Sequence, residues 1–244
     1  MLYTPTDILA LLLVSAGISL QSWFGIGFGL VAAPLLYLIN PAYVPAPVLI
    51  LGFCLSLLMV RRTRGQVQWS RITPAILARL PGAWLGAVLL AAIPGWSLSL
   101  LFGVCLLAAA GLTWRLFKVR ATRRNMLAGG FFSGLTGTAT SIGGPPIALV
   151  YQELDRIEAR NELAMFFLLG TPFSLLALLQ QGVLDLDSLQ LSLKLLPGLL
   201  LGFWIGNRFD GRIPATSAKP VLLSIALLSA LLIIGKGIIQ WWQS

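Results

Sequence analysis

The chain has 244 residues, 57% of them hydrophobic and only 10% charged, and its mean hydropathy is +0.89. Because a soluble domain carries about 25% charged residues, this composition excludes a soluble globular protein and predicts a membrane protein. The net charge of +9 does not indicate a nucleic-acid partner, since basic residues accumulate in the cytoplasmic loops of membrane proteins. The absence of histidine excludes Ser-His catalysis and histidine-ligated metals, and we expect no cofactor and no metal site.

Ten apolar segments follow one another along the chain. They cover residues 6–24, 25–39, 43–60, 72–92, 96–117, 125–141, 142–151, 162–181, 189–207 and 218–240. The first segment has no basic residues before it, so we interpret it as a retained membrane segment and not as a cleaved signal peptide. The segments 25–39 and 142–151 are short for independent spans, which need about 17–25 residues. Each follows its predecessor without a polar loop, so we predict broken hairpins over 6–39 and 125–151.

Landmark residues recur in the same order in the two halves of the chain. Gly17, Gly25 and Pro34 match Gly129, Gly137 and Pro146 at an offset of 112 residues, and Leu80–Gly82 with Gly86 matches Leu196–Gly198 with Gly202 at an offset of 116. Such ordered matches indicate an internal duplication. We therefore predict an all-α polytopic membrane protein with repeats 1–117 and 125–244, joined by a basic linker at 118–124. Each repeat would be a broken hydrophobic hairpin followed by three transmembrane helices.

The distribution of charge predicts how the two repeats are oriented. The loops between segments carry the basic residues Arg61, Arg62, Arg64, Arg71, Arg115, Lys118, Arg120, Arg123, Arg124, Arg208, Arg212 and Lys219, whereas the loop at Gly182 carries Asp185 and Asp187. If the basic loops are cytoplasmic, Gly65 lies inside and its repeat equivalent Gly182 lies outside. The repeats are then inverted, as in several secondary transporters, and both termini are periplasmic.

The two hairpins carry the candidate binding residues. Non-helical backbone inside a bilayer is tolerated where it lines a protein-enclosed cavity, and free amides at the start of a helix attract anions. Gly143–Pro146 has the composition of such a helix start. The hairpin candidates for substrate binding are Gln21, Ser22, Gly25, Gly27, Gly29, Thr136, Gly137, Thr138, Thr140, Ser141, Gly143, Gly144 and Pro145. The alternative is that the glycines only allow close helix packing, and this is the interpretation we favour for Gly82, Gly86, Gly198 and Gly202.

Arg79 and Lys194 are basic residues inside apolar segments, two and three residues before the two Pro-Gly pairs. A charge at membrane depth is a candidate for function, so both join the substrate-binding set. The alternative, that each side chain reaches the nearer interface, stays open at this point. Glu162 begins the eighth segment, where we expect it at the interface and not as a proton carrier.

The hairpin motifs resemble those of the TauE/SafE family of sulfite and sulfonate exporters. The shared features are Gly25, Gly27 and Gly29 followed by Pro34, the basic loop Arg61–Gly65, and Gly143–Pro146. The resemblance covers almost the whole chain, and it departs from the family pattern near Asn161, where a Thr or Ser is common. It implies export of a small sulfur oxyanion or a related sulfonate or carboxylate across the bacterial inner membrane.

Together, the residues and the resemblance predict an anion exporter in which one repeat rocks against the other around a central site. The expected partners are a small anionic substrate and the lipid bilayer, with a homodimer as a further expectation and no nucleic acid. A passive anion channel and a non-transporting membrane scaffold are the alternatives. An intramembrane enzyme is disfavoured, because the segments hold neither histidine nor a central aspartate.

Overall fold

The computed structural model describes residues 3–25, 27–63, 67–114, 119–209 and 215–243. The part of the chain so described is helical and contains no strand. Its α-helices are α1 (Pro5–Phe24), α2 (Ala33–Ile39), α3 (Ala46–Thr63), α4 (Trp69–Ala92), α5 (Gly95–Thr113), α6 (Arg123–Thr140), α7 (Gly144–Val150), α8 (Arg156–Gln180), α9 (Leu186–Arg208) and α10 (Ala215–Trp242). A π-helical turn, Phe28–Ala32, precedes α2, and a 3-10 turn, Pro41–Tyr43, follows it. Gly65, together with Arg64, Arg115, Lys118 and Arg212, lies outside the described residues.

Seven of the described helical stretches are long and apolar enough to cross a membrane, which confirms the prediction of an all-α polytopic membrane protein. They are Pro5–Trp23, Pro41–Arg62, Trp69–Ala92, Gly95–Thr113, Arg156–Gln180, Leu186–Arg208 and Pro220–Trp242. The helix α6 is not among them, because its glycine and threonine residues lower its hydropathy. It packs along α4 and buries its glycine-rich face there.

Both predicted helix breaks are present. The first helix ends at Gly25, with φ 78°, whose amide donates to the Gln21 carbonyl over 2.8 Å. The helix α6 ends at Ser141, with φ 62°, whose amide donates to the Gly137 carbonyl over 2.8 Å. The chain then folds back on itself, since Gly17 packs against Phe28 of the returning arm.

The two left-handed residues bear on the predicted alignment between the halves. Gly25 and Ser141 each end a helix and are 116 residues apart, so under the predicted duplication Gly25 would correspond to Ser141 and not to Gly137. Pro34 and Pro146 are only 112 residues apart, because the segment from Gly25 to Pro34 is four residues longer than the segment from Ser141 to Pro146. The π-helical turn accommodates these extra residues.

The main helix contacts join one half of the chain to the other. Helix α4 lies along α6, α1 along α9, α3 against α8, and α5 against α10. Gly82 and Gly86 allow the first crossing, because a Cβ at either would overlap the carbonyl oxygen of Phe131 or Leu135. These two glycines therefore serve close helix packing, as expected.

The crossing of α1 with α9 is held by side-chain donors at successive turns. Ser15 donates to the Gly198 carbonyl over 2.9 Å, and Ser19 donates to the Gly202 carbonyl over 3.0 Å. The Trp23 indole completes the series by donating to the Gly206 carbonyl over 2.7 Å. The glycines let the helices approach until these bonds form, so α1 is fixed along its length.

Helix α8 begins at Arg156, six residues before the predicted start at 162. The added turns are polar and therefore gave no apolar signal. Their arginines bind the end of α1, where Arg156 Nε donates to the Trp23 carbonyl over 2.8 Å and Arg160 to the Ser22 carbonyl over 3.1 Å. Glu162 consequently lies in the second turn of α8 and is fully buried within the protein.

Candidate functional site

A cavity of about 50 Å³ lies between the two helix breaks. Ten of the fifteen predicted binding residues line it: Gln21, Gly25, Gly27, Gly29, Arg79, Gly137, Ser141, Gly143, Gly144 and Pro145. Helices α3 and α8 complete the wall with Val48, Leu49, Gly52, Phe167 and Thr171, and Phe28 and Leu30 add to the first break. The structure therefore brings both hairpin breaks to one cavity.

Glycine is required where the two breaks touch. A Cβ on Gly29 would overlap the Ser141 carbonyl oxygen, and a Cβ on Gly137 would lie 3.2 Å from the Gly143 Cα. Gly25 and Gly27 also have φ values of 78° and 144°, which L side chains rarely adopt. Backbone therefore forms much of the cavity wall, and a ligand can approach peptide groups directly.

Arg79 is the charged group of the cavity. It lies in α4 and is 1% exposed. Its terminal nitrogens donate to Ser133 Oγ over 3.1 Å and to Ser174 Oγ over 3.4 Å. The guanidinium carbon lies 5.0 Å from the Phe166 ring centroid and 5.2 Å from that of Phe167, which is cation–π distance.

The described partners of the Arg79 guanidinium are all neutral. No described carboxylate lies within 4.0 Å of it, and its Nε donates to no acceptor. Burying a charge without a counter-charge is costly, so such residues in membrane proteins mark ion or substrate sites. An anion in the adjoining cavity would supply the missing negative charge.

Several side chains hold Arg79 in this position. Ser133, which accepts from Arg79, donates to the Gly143 carbonyl over 2.6 Å, so the arginine is connected to the second break. Thr138 and Ser174 are hydrogen-bonded over 2.9 Å on the other side of the guanidinium. Gly170 provides room for the side chain, because a Cβ there would overlap Arg79 Cδ.

The backbone amides at the second break are fewer than a regular helix start would offer. Helix α7 begins at Gly144, and Pro145 and Pro146 have no N–H to donate. The amides of Gly143 and Gly144 donate to no described acceptor. At the first break, the Gln21 side-chain carbonyl accepts from the Phe28 amide over 3.1 Å. Gly143, directly before α7, and Gly144, its first residue, are therefore backbone donors near the cavity.

Four other predicted residues of the hairpins lie away from the cavity wall. Thr136 donates to the carbonyls of Phe132 and Ile142, and Thr140 donates to the Thr136 carbonyl over 2.7 Å. Thr138 is buried and supports Arg79 through Ser174. Ser22 is buried against Gly206 of α9. Their hydroxyls are therefore placed within the protein framework.

Lys194 also lies outside the cavity wall. Its ammonium pairs with Asp7 over 3.2 Å at the start of α1, and its side chain is 24% exposed. Counting back two residues from each Pro-Gly pair, Arg79 corresponds to Leu195, which is fully buried. A difference of one residue turns a side chain by about 100° around a helix, so Lys194 faces α1 while Leu195 takes the buried direction.

Sequence reasoning missed the residues that position Arg79. Ser133 lies in α6, and Phe166, Gly170 and Ser174 lie in α8. The run Gly170–Ser174 (Gly-Thr-Pro-Phe-Ser) interrupts an otherwise apolar helix with small and polar residues. That pattern was a usable signal for a polar face turned towards a partner inside the membrane.

A family model described as Sulfite exporter TauE/SafE matches residues 9–233 of the chain. The chain belongs to the TauE/SafE family. This confirms the resemblance of the hairpin motifs, and membership in this family implies a transporter of anions across a membrane. The seven long apolar helices agree with that assignment, because they make the chain a multi-pass membrane protein. Searches of curated proteins and of solved structures found no match to the chain.

Proposed function

We propose that this protein exports a small sulfur oxyanion or organosulfonate, such as sulfite, across the bacterial inner membrane. The observation that carries the proposal is Arg79, a buried cation without a described counter-charge at the wall of a cavity between two helix breaks. The guanidinium fork is suited to the oxygen pairs of an oxyanion, which it can bind through two parallel hydrogen bonds. The amides of Gly143 and Gly144 and the side chain of Gln21 would complete the shell.

The size of the cavity supports a small substrate. A single water needs roughly 10–15 Å³ of accessible cavity space, so about 50 Å³ accommodates only a few waters. An anion of about four or five heavy atoms replaces such a group of waters. The cavity wall is partly apolar, with Phe28, Leu30 and Val48, and this suits the short carbon end of a sulfonate.

We further propose that transport proceeds by alternating access. The inverted relation of the repeats 1–117 and 125–244, with both termini periplasmic, remains a prediction from sequence. It is supported by the exchange of partners between halves, since α4 packs on α6 and α1 packs on α9. In such an arrangement the central cavity would open alternately to the two sides as the repeats move.

The test is transport of radiolabelled sulfite and methanesulfonate by purified protein in liposomes. A carrier gives saturable uptake and accelerated exchange when unlabelled anion is present on the far side. A channel gives flux without this acceleration, and a scaffold gives none above protein-free liposomes. Flux of neither anion would refute the proposed function. Gly144→Val is the site control, because a side chain there would fill the approach to the backbone donors.

A further inference from the structure

Glu162 is a second buried charge, at a distance from the cavity along α8. Its side chain is fully buried, and Oε1 accepts a hydrogen bond from the Gln68 amide over 3.0 Å. Its other oxygen, Oε2, is buried and receives no hydrogen bond. The ionised carboxylate therefore keeps a buried oxygen that accepts no hydrogen bond from the protein, which costs free energy.

The surroundings of Glu162 contain further buried polar atoms that lack partners. These are Tyr151 Oη, from the turn after α7, and Asn161 Oδ1, the neighbour in α8. The Tyr151 hydroxyl can donate a hydrogen bond but makes none to the carboxylate, and the Asn161 amide oxygen can only accept one. A proton on Glu162 would thus remove the charge from an oxygen that no donor reaches.

One arginine is shared by two carboxylates in this cluster. Arg71 of α4 pairs with Glu158 over 2.6 Å and lies 3.8 Å from Glu162. Arg160 is directed elsewhere, to the Ser22 carbonyl. From α3 and α6, which also pack on α8, no described side chain forms an ion pair with Glu162. Protonation of Glu162 leaves Arg71 to Glu158 alone and changes the balance of charge between α4 and α8.

The same two helices hold the anion site. Arg71 and Arg79 lie eight residues apart in α4, which is about 12 Å along the helix axis. Phe166 and Gly170, which contact Arg79, follow Glu162 in α8 within about two turns. Arg160 and Leu163, which are close to Glu162 in α8, lie beside Gly25 of the cavity wall, because a Cβ on Gly25 would lie 3.3 Å from the Arg160 Cα and 3.5 Å from Leu163 Cδ1.

We propose that Glu162 is a proton-binding site and that the proton it binds during the transport cycle couples anion movement to a pH gradient. The step is a reversible protonation: a proton from water is added to Oε2, and the carboxylate becomes a neutral acid. Protonation alters the α4–α8 contact that positions Arg79. The proton enters from the side of the basic loops. This inference rests on the proposed function, since it assigns the coupling ion to the same transporter.

The test compares wild type, Glu162→Gln and Glu158→Gln in liposomes whose membrane potential is clamped. Methanesulfonate is the preferred probe if wild type carries both anions, because it stays ionised at neutral pH and cannot imitate coupling by its own protonation. With one proton per anion, a pH gradient of about one unit drives up to about tenfold accumulation. We expect this accumulation for wild type and for Glu158→Gln, which removes the more exposed partner of Arg71. Glu162→Gln should exchange anion at equal pH within about threefold of the wild-type rate, but should show no accumulation driven by the gradient.

Three results would overturn the inference. The first is accumulation by Glu162→Gln equal to that of wild type, and the second is wild-type transport that ignores the gradient. If Glu162→Gln is folded but exchanges no anion, the deciding measurement is anion affinity in detergent from about pH 5.5 to about pH 8.5. In this pH series the anion affinity of wild type should change with pH, whereas that of Glu162→Gln should not. The third contrary result is the same pH dependence of affinity in wild type and variant. Absence of any wild-type flux would instead refute the proposed function itself.

Discussion

Replacing Arg79 by glutamine tests whether the buried guanidinium binds the anion. The change removes the charge, keeps much of the side-chain length and leaves an amide that can still bond Ser133 and Ser174. Because Arg79 lines the cavity, a bound monovalent anion would lie roughly 4–6 Å from the charge. At an effective dielectric constant near 20, this pair is worth about 3–4 kcal/mol. The expected loss of affinity is therefore a hundredfold or more.

The assay is the thermal stability of purified protein in detergent as a function of anion concentration. An anion at a hundred times its Kd stabilises the folded state by about 2.7 kcal/mol, so the wild-type Tm should rise through this range. Arg79→Gln should need at least about a hundredfold more anion for the same rise. Without anion, the variant should be no less stable than wild type, because an uncompensated buried charge has been removed.

Lys194→Gln is the matched control for this experiment. Lys194 is bound to Asp7 and does not line the cavity, so the change should leave anion affinity within about threefold of wild type. Equal losses for the two variants would be expected only if both residues faced a central site. Wild-type affinity in Arg79→Gln, or an equally large loss in Lys194→Gln, would refute our placement of the anion.

Three further changes probe other parts of the structure. Gly170→Ala should displace the Arg79 side chain without removing its charge. We expect anion affinity in the same thermal assay to fall at least about tenfold while the fold is retained. Gly86→Ala should lower stability by about 1–3 kcal/mol through overlap with the Leu135 carbonyl, with unchanged affinity in the folded fraction; a change in affinity without loss of stability would contradict this. In a variant lacking Cys54 and Cys105, a cysteine at Gly182 should react with an impermeant reagent in whole cells and one at Gly65 should not. The reverse pattern would contradict the predicted orientation.

Much of the fold could be predicted because its main signals are local. The length of apolar runs marks the spanning helices, and glycine with proline marks the breaks. The start of α8 could not be predicted in this way. Arg156 and Arg160 are polar residues that become acceptable in the helix only because the end of α1, more than 130 positions earlier, offers its carbonyls. The sequence does not reveal which distant partner satisfies a charge.

The candidate site could be predicted where backbone conformation decides it, and less well where side-chain direction does. The glycines of both breaks reach one cavity, as expected from their composition. The hydroxyls of Thr136 and Thr140, in contrast, bond carbonyls one turn earlier in their own helix, which is a common alternative for threonine in membrane helices. Arg79 and Lys194 differ by a single position in register, and that difference separates a buried cavity residue from a partner of Asp7.

The exchange of partners between the halves has a consequence for biogenesis. As the chain emerges from the ribosome, α1 enters the bilayer long before α9 exists, since Leu11 and its partner Gly198 are 187 positions apart. Until α9 is inserted, Ser15, Ser19 and Trp23 lack their carbonyl acceptors in α9. In the same way, α4 lacks its contact with α6 until α6 is inserted. The contacts of the first helix therefore form late in translation, and among the main contacts between the halves only that of α5 with α10 follows them.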